Sequence, residues 1–235
     1  MQSFDVITID GPSSSGKSTI GLLFSQKIGF QFIDSGSIYR AGTLAVLEKK
    51  IPLENHAKIT EIFQTMDIRF QMENGKPQAY IYGKNVTSKL NIPKVTETVP
   101  AVGAIRSVRE IVKNMQKGLA EKQNVVIAGR DIGSEIFPQA ELKFLITASA
   151  EIRAKRRFEQ LKLKNPDVFY EDVLQEIQDR DYKDATREAS PFRIPEDVVI
   201  IDTSNLNIEQ VVEKMMEYFL SRKNVKPDIV SSNLL

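Results

Sequence analysis

The residues best suited to chemistry stand near the N-terminus. Gly11-Pro12-Ser13-Ser14-Ser15-Gly16-Lys17-Ser18, followed by Thr19, fits G-x-x-x-x-G-K-[ST] at every fixed position. Gly11 and Gly16 permit a tight turn that brings backbone N–H groups up to phosphate oxygens. Lys17 offers a point charge to β- and γ-phosphates, and Ser18 a hydroxyl for Mg²⁺. A helix starting near Lys17 adds the positive end of its dipole. The chemistry is the binding of a nucleoside triphosphate. The motif leaves open what the phosphate is used for.

Four further sets of residues carry charge at suggestive spacing. In Asp34-Ser35-Gly36-Ser37-Ile38-Tyr39-Arg40, Ser35 and Arg40 would lie near the C-terminal end of a strand, where ligands bind in open α/β sheets. They would equally serve as a capping serine and a solvated arginine. Arg130-Asp131 follow a buried strand, as a phosphate ligand beside a hydrogen-bond acceptor or as a mutual salt bridge. Arg153, Arg156 and Arg157 share one helix face, with Lys155 beside them. They would close over a triphosphate, or form a solvated face paired with Glu151 and Glu159. Arg180, Asp184 and Arg187 also share a helix face. That set suits a sugar phosphate, with Arg for phosphate and Asp for hydroxyls, or an ordinary surface pair. Spacing alone does not separate these readings.

Composition narrows the classes. The chain has 235 residues, with 41% apolar and 27% charged, which suits one α/β core carrying an inserted lobe. Lys plus Arg number 32 against 31 Asp plus Glu, so a long nucleic-acid or anionic-membrane surface is not expected and anion recognition must be local. Cysteine is absent and His56 is the single histidine, which excludes a thiolate site and argues against a transition-metal centre. No secretory leader and no membrane span is read. No Asn-Lys-x-Asp stretch occurs, against a guanine-reading switch.

The elements that must position these groups alternate strand and helix. Strands are expected at Phe4–Ile9, Phe30–Ile33, Val125–Ala128, Leu142–Ile146 and Val198–Asp202. Helices are expected at about 17–28, 34–48, 55–66, 105–121, 150–164, 170–187 and 208–220. The alternation implies a parallel sheet with covered faces. Ile68–Met72 and Gln78–Tyr82 alternate around Asn74-Gly75, a hairpin signal, and Gly83–Val86 adds a short third strand. This patch, roughly 67–90, reads as an insertion. Pro93 and Pro100 are expected to break the next stretch into short pieces. Arg222 to Leu235 is expected as a loosely held tail.

Together the phosphate loop with Ile9-Asp10-Gly11-Pro12, the Asp34–Arg40 stretch, Gly129-Arg130-Asp131-Ile132-Gly133 with Phe137-Pro138, Arg153–Arg157, Arg180-Asp181 and Asp184–Arg187 resemble bacterial cytidylate kinases. The likeness spans roughly residues 4–220 in order. It implies an α/β P-loop nucleoside-monophosphate-kinase fold. That fold has a helix-covered parallel sheet, a small antiparallel sheet inserted in the monophosphate-binding lobe, and a short helical lid. The implied division is a core over 1–62 and 97–222 with a lid near 153–167, an inserted lobe over 63–96, and a tail over 223–235.

The implied reaction is ATP-dependent phosphorylation of CMP and dCMP by direct in-line transfer, in pyrimidine nucleotide metabolism. The alternatives are a P-loop kinase of another monophosphate or small metabolite, or a non-catalytic nucleotide switch. By resemblance, Lys17, Arg130, Arg157 and Arg187 are catalytic. Gly11 through Thr19 with Arg153, Arg156 and Arg157 bind ATP. Ser35, Arg109 and Asp131 line the cytosine pocket, Arg180 and Asp184 hold the ribose, and Arg40, Arg130 and Arg187 grip the α-phosphate. Ser18 holds Mg²⁺, partly through water. A cytoplasmic monomer is implied, with small-molecule partners and neither nucleic acid nor membrane. The family commonly has Asp or Glu where Ala128 stands, which points to Asp10 as the carboxylate helping the metal. Pro100 and Asn91 also depart from the family at places that touch nucleotide recognition.

Overall fold

The computed structural model describes residues 5–163, 165–186 and 191–223. In chain order the elements are β1 (Val6–Asp10), α1 (Lys17–Ile28), β2 (Gln31–Asp34), α2 (Ser35–Glu48), α3 (His56–Thr65), β3 (Ile68–Glu73), β4 (Lys76–Ile81), β5 (Lys84–Asn85), α4 (Pro93–Ala104) and α5 (Arg106–Ala120). There follow β6 (Val125–Gly129), β7 (Leu142–Thr147), α6 (Ala150–Lys162), α7 (Tyr170–Thr186), β8 (Val199–Asp202) and α8 (Ile208–Lys223). The main sheet runs β2-β6-β1-β7-β8, and all its pairings are parallel.

Side chains alternate across this sheet, and each face buries its own cluster. Ile33, Val125 and Ile127 point into one, built with α2, α3, α4 and α5. Ile7, Ile9, Phe32, Val126 and Phe144 point into the other, built with α1 and α8. Phe24 sits at the heart of the second cluster, with no exposed surface. Its ring meets those of Phe144 and Phe219 edge-on at 5.8 and 5.9 Å. A third, smaller cluster of Ala154, Val173 and Ile177 joins α6 to α7.

Local signals explain most element ends. Gly29 closes α1 in the left-handed region, its N–H bonded to the Ser25 carbonyl. Asp34 caps α2 by accepting from Gly36 N–H, Asn55 caps α3, and Ser149 caps α6. Asn74 and Gly75 both take positive φ, at 51° and 72°, as the hairpin between β3 and β4 requires. β5 pairs with β4 to complete the small antiparallel sheet.

Two expectations are corrected here. Pro93 and Pro100 do not fragment their stretch, because α4 is one helix of 12 residues. Pro93 occupies its first position, where a missing N–H costs nothing, and Pro100 is exposed, so the carbonyl it leaves without a donor can be hydrated. The last helix runs to Lys223 instead of stopping at Leu220. Apart from Lys223, the expected tail over 223–235 lies outside the described residues. Among the described residues no helix is long and apolar enough to cross a membrane.

Truncating Phe24 to alanine would leave a void between α1, the sheet and α8. We expect a loss of about 3–5 kcal/mol, read as a lower urea midpoint at unchanged slope.

Candidate active site

Strand register brings the site together. Asp10 at the end of β1 lies opposite Gly129 of β6, and Asp34 at the end of β2 lies opposite Ala128. The phosphate loop, the start of α2 and the Arg130-Asp131 loop therefore leave the sheet side by side, at its carboxyl edge. A Cβ on Gly11 would overlap the Ile146 carbonyl, so only glycine lets the phosphate loop pass so close to β7.

Within this cleft, cations crowd one another. The Lys17 ammonium donates to the Pro12 carbonyl at 2.9 Å. Although Lys17 is partly exposed as a residue, packing around its ammonium pushes its pKa down to about 7, helped by the nearby Arg130 guanidinium and opposed by Asp34. Burial likewise lowers the Arg180 pKa, with Arg40 and Arg157 adding repulsion and Glu176 opposing it. Lys17 thus feels the charge of Arg130 and Arg180, and Arg180 that of Arg40 and Arg157.

Acidic side chains hold Arg40 and Arg130 of this set, and Arg109 beside it. Arg40 donates to Asp34 at 3.1 Å and to Ser37 Oγ at 3.0 Å. Arg130 pairs with Asp184 of α7. Arg109 donates to Asp131 at 3.1 Å and to the Tyr39 hydroxyl at 3.3 Å, and both members of the Arg109–Asp131 pair are buried. Its guanidinium also lies 5.7 Å from the centre of the Tyr39 ring. Two arginine donors of the site stand among the buried side-chain atoms that lack a hydrogen-bond partner. The Nε atoms of Arg40 and Arg109 are buried without a hydrogen-bond partner, an arrangement that invites an anionic or acceptor-bearing ligand.

Two arginines of α6 face protein. Arg153 donates to the Ala148 carbonyl at 2.9 Å, to the Ser13 carbonyl of the phosphate loop at 3.2 Å and to Asp181 at 2.6 Å. Arg156 holds the hydroxyl and carbonyl of Thr203, beyond β8, at 2.9 and 2.6 Å. Ser35 is buried at the start of α2. Arg187, expected on the acceptor side, lies outside the described residues.

Two carboxylates stand near the phosphate loop, Asp10 and Asp34. Asp10 Oδ1 accepts from Ile132 N–H at 2.9 Å and its Oδ2 from Gly133 N–H at 2.7 Å, under only 3% exposure. The carboxylate beside Ser18 is instead Asp34, whose Oδ2 accepts from Ser18 Oγ at 3.2 Å. A hydroxyl and a carboxylate at the mouth of the phosphate loop are the oxygen donors a hard cation takes. Among the described residues no cluster of three or more acidic or histidine groups exists to cage an ion. Mg²⁺ here would draw its remaining ligands from nucleotide and water.

Sequence reading missed Asp34 and Tyr39 as members of the site. Asp34 was legible as a helix cap, and the sign of a second role was its position opposite Ala128. Tyr39 was visible within its motif, but nothing local placed its ring against Arg109, 70 residues on.

A phosphate loop at the carboxyl edge of a parallel sheet, facing a cleft of arginines, defines a P-loop phosphotransferase. The family model described as cytidylate kinase matches residues 7–221. A cytidylate kinase of Caldicellulosiruptor bescii is 44% identical over 91% of this chain and 94% of its own. One of Caldanaerobacter subterraneus subsp. tengcongensis is 43% identical over 95% of this chain and 97% of its own. The chain belongs to the cytidylate kinase family. The structure of an uncharacterized protein from Eubacterium ventriosum superposes with a TM-score of 0.52 at 13% identity, covering 93% of this chain and 99% of that one, a likeness of fold.

Burial raises the Asp10 pKa to about 6, with Asp131 adding repulsion and the two amides and Lys17 opposing. The folded chain therefore keeps a proton on Asp10 that the unfolded chain, at 3.8, has already lost. Stability from this group falls as pH rises between those values and is level above them. Asp10→Asn lacks that slope. Urea unfolding at about pH 4.5 and about pH 7 should show the variant's deficit against the parent shrinking by on the order of 2 kcal/mol at the higher pH.

Proposed function

We propose that this protein transfers the γ-phosphoryl group of ATP directly to a phosphate oxygen of CMP or dCMP. One observation carries this reading: cations gather beside a phosphate loop, and the residue next to one of them, Asp131 after Arg130, forms a buried pair with Arg109. The family of the chain supports the same reaction.

On this reading the phosphate loop, Gly11 through Thr19, cradles the ATP phosphates with backbone N–H groups and Lys17. Lys17 must leave the Pro12 carbonyl to reach them. Arg153 acts by holding Ser13 and thus the shape of the loop, Arg156 braces the loop after β8, and Arg157 faces the transferring phosphate. Ser18 and Asp34 would hold Mg²⁺, which when bound neutralises charge on the β- and γ-phosphates.

On the acceptor side Arg40 and Arg130 grip the α-phosphate, joined by Arg187. Arg180 and Asp184 take the sugar, and Ser35, Arg109 and Asp131 take the base. Cytosine offers an amine donor beside an acceptor ring nitrogen. A carboxylate beside a guanidinium answers that pattern and opposes uracil, which reverses both groups.

An α-phosphate oxygen attacks the γ-phosphorus in line, its new bond forming as the bond to the ADP oxygen breaks. The electron pair of the broken bond stays on ADP. Arginines facing the three equatorial oxygens lower the barrier, and alignment supplies most of the rest. No covalent enzyme intermediate is needed, in keeping with a chain that has no cysteine and whose single histidine, His56, is exposed on α3.

The division of labour follows. The small sheet within 63–96 would carry the monophosphate-binding lobe, and the α6–α7 segment near 153–167 the lid that excludes water during transfer. The near balance of 32 basic and 31 acidic residues supports small-molecule partners over nucleic acid. We take the protein to be a cytoplasmic monomer.

A coupled assay across CMP, dCMP, UMP and AMP tests the reaction. CMP and dCMP should lead, and a clear preference for AMP or UMP would overturn it. Asp131→Asn should lower the ratio of kcat/KM for CMP over UMP by about tenfold or more, since it replaces the acceptor that rejects uracil. An unchanged ratio would remove Asp131 from base selection.

A further inference from the structure

Asp10 ends the central strand β1 and directly precedes Gly11, the first residue of the phosphate loop. Its two carboxylate oxygens do not face that loop. They accept from the amides of Ile132 and Gly133, at 2.9 and 2.7 Å. These amides open a single wide helical turn, Ile132–Ile136. The later N–H groups of that segment, from Glu135, Ile136 and Phe137, bond back to the carbonyls of Asp131 and Ile132. The first two have no such partner within the turn, and a carboxylate from another strand takes both.

The contact is close on both sides. A Cβ on Gly133 would lie 2.8 Å from Thr8 Oγ1 and 3.2 Å from Asp10 Oδ2, so a larger residue would push the turn off the strand. The two residues just before the held amides are Arg130 and Asp131. They cannot shift without dragging those amides away from Asp10.

We propose that Asp10 is a positioning residue for phosphoryl transfer, pinning the Arg130-Asp131 loop of the acceptor side to the strand end that carries the phosphate loop of the donor side. The proposal rests on the reading of Arg130 and Asp131 as ligands of the monophosphate. A carboxylate is the group the task requires. Two converging N–H donors need two acceptor oxygens, whereas an amide offers one oxygen and one further donor. The protein keeps this buried charge beside Asp131, with Lys17 as the nearby opposing cation, although that surrounding disfavours ionisation. A cap needed only to close a turn would not demand so costly a group at the junction of the two loops.

In Asp10→Asn, one amide of the turn faces an N–H of the new side chain, and the turn must move to relieve it. The phosphate loop keeps its own constraint, Gly11 against the Ile146 carbonyl. The defect should therefore fall on the acceptor.

The test compares the full chain with its Asp10→Asn, Gly133→Ala and Arg130→Ala variants near pH 7.5, by steady-state kinetics and by direct binding of a fluorescent ATP analogue. We expect Asp10→Asn and Gly133→Ala each to raise the KM for CMP about tenfold while affinity for the ATP analogue stays within about twofold. Equal losses on both substrates, or a fall in kcat with the KM for CMP unchanged, would overturn the proposal. So would failure of both variants to fold, because the pin would then belong to the fold and not to the site. Arg130→Ala separates the two readings. If it leaves the KM for CMP unchanged, the acceptor-site assignment fails and the proposal falls with it. If it raises that KM while the other two variants do not, Asp10 alone is misread.

Discussion

Like charges held at close range are the constraint around which this molecule is built. Burial lowers the pKa values of Lys17 and Arg180, and like charges add to it, Arg130 and Arg180 acting on Lys17, and Arg40 and Arg157 on Arg180. Left alone, such side chains would swing apart into solvent. Four aspartates prevent it for Arg40 and Arg130 and for two arginines beside them, Arg109 and Arg153. Asp34 takes Arg40, Asp131 takes Arg109, Asp184 takes Arg130, and Asp181 takes Arg153. Partly buried pairs of this kind add little net stability, because desolvation offsets most of their attraction. Their effect is to hold each guanidinium in a set direction while the cleft awaits an anion.

Those aspartates come from separate places in the chain, and the parallel sheet is what makes them neighbours. Asp34 ends β2, Asp131 follows β6, and Asp181 and Asp184 lie on α7. The strands β2, β6 and β1 stop in register, so three loops start from one edge. Arg153 extends the linkage outward. By joining Asp181 of α7 to the Ser13 carbonyl, it ties the α6–α7 unit, which has its own small core, to the backbone of the phosphate loop. In the proposed reaction, movement of that unit is therefore felt at the loop that holds the triphosphate. The same pairs give substrate binding a low-cost route. In the proposed reaction, Arg130 would exchange Asp184 for the phosphate, leaving Asp184 to turn toward the sugar hydroxyls.

Much of this was legible along the chain, because it depends on local chemistry. The phosphate loop could be read from its glycines, lysine and serine, since the backbone turn and the phosphate cradle lie within eight successive residues. The Asn74-Gly75 turn was legible for the same reason: both residues tolerate the positive φ that the hairpin imposes. Alternating strands and helices declared the parallel sheet, and the order of motifs declared the family.

What the tertiary structure decided are the relations between distant residues. Asp34 caps α2, and only the fold set it opposite Ala128 and brought Ser18 to its second oxygen. Asp10 was legible as the carboxylate before the phosphate loop, and the fold brought the turn at 132–136 to both its oxygens. Arg153 was legible as a cation on the face of α6, and the fold gave its guanidinium three protein partners. A side chain's type states what it can bond, and its neighbours in sequence state what lies within one turn or one strand. Which of its possible partners it takes depends on strand register and helix packing. Those are fixed by burial of the two sheet faces as a whole, a property that no single stretch of sequence carries.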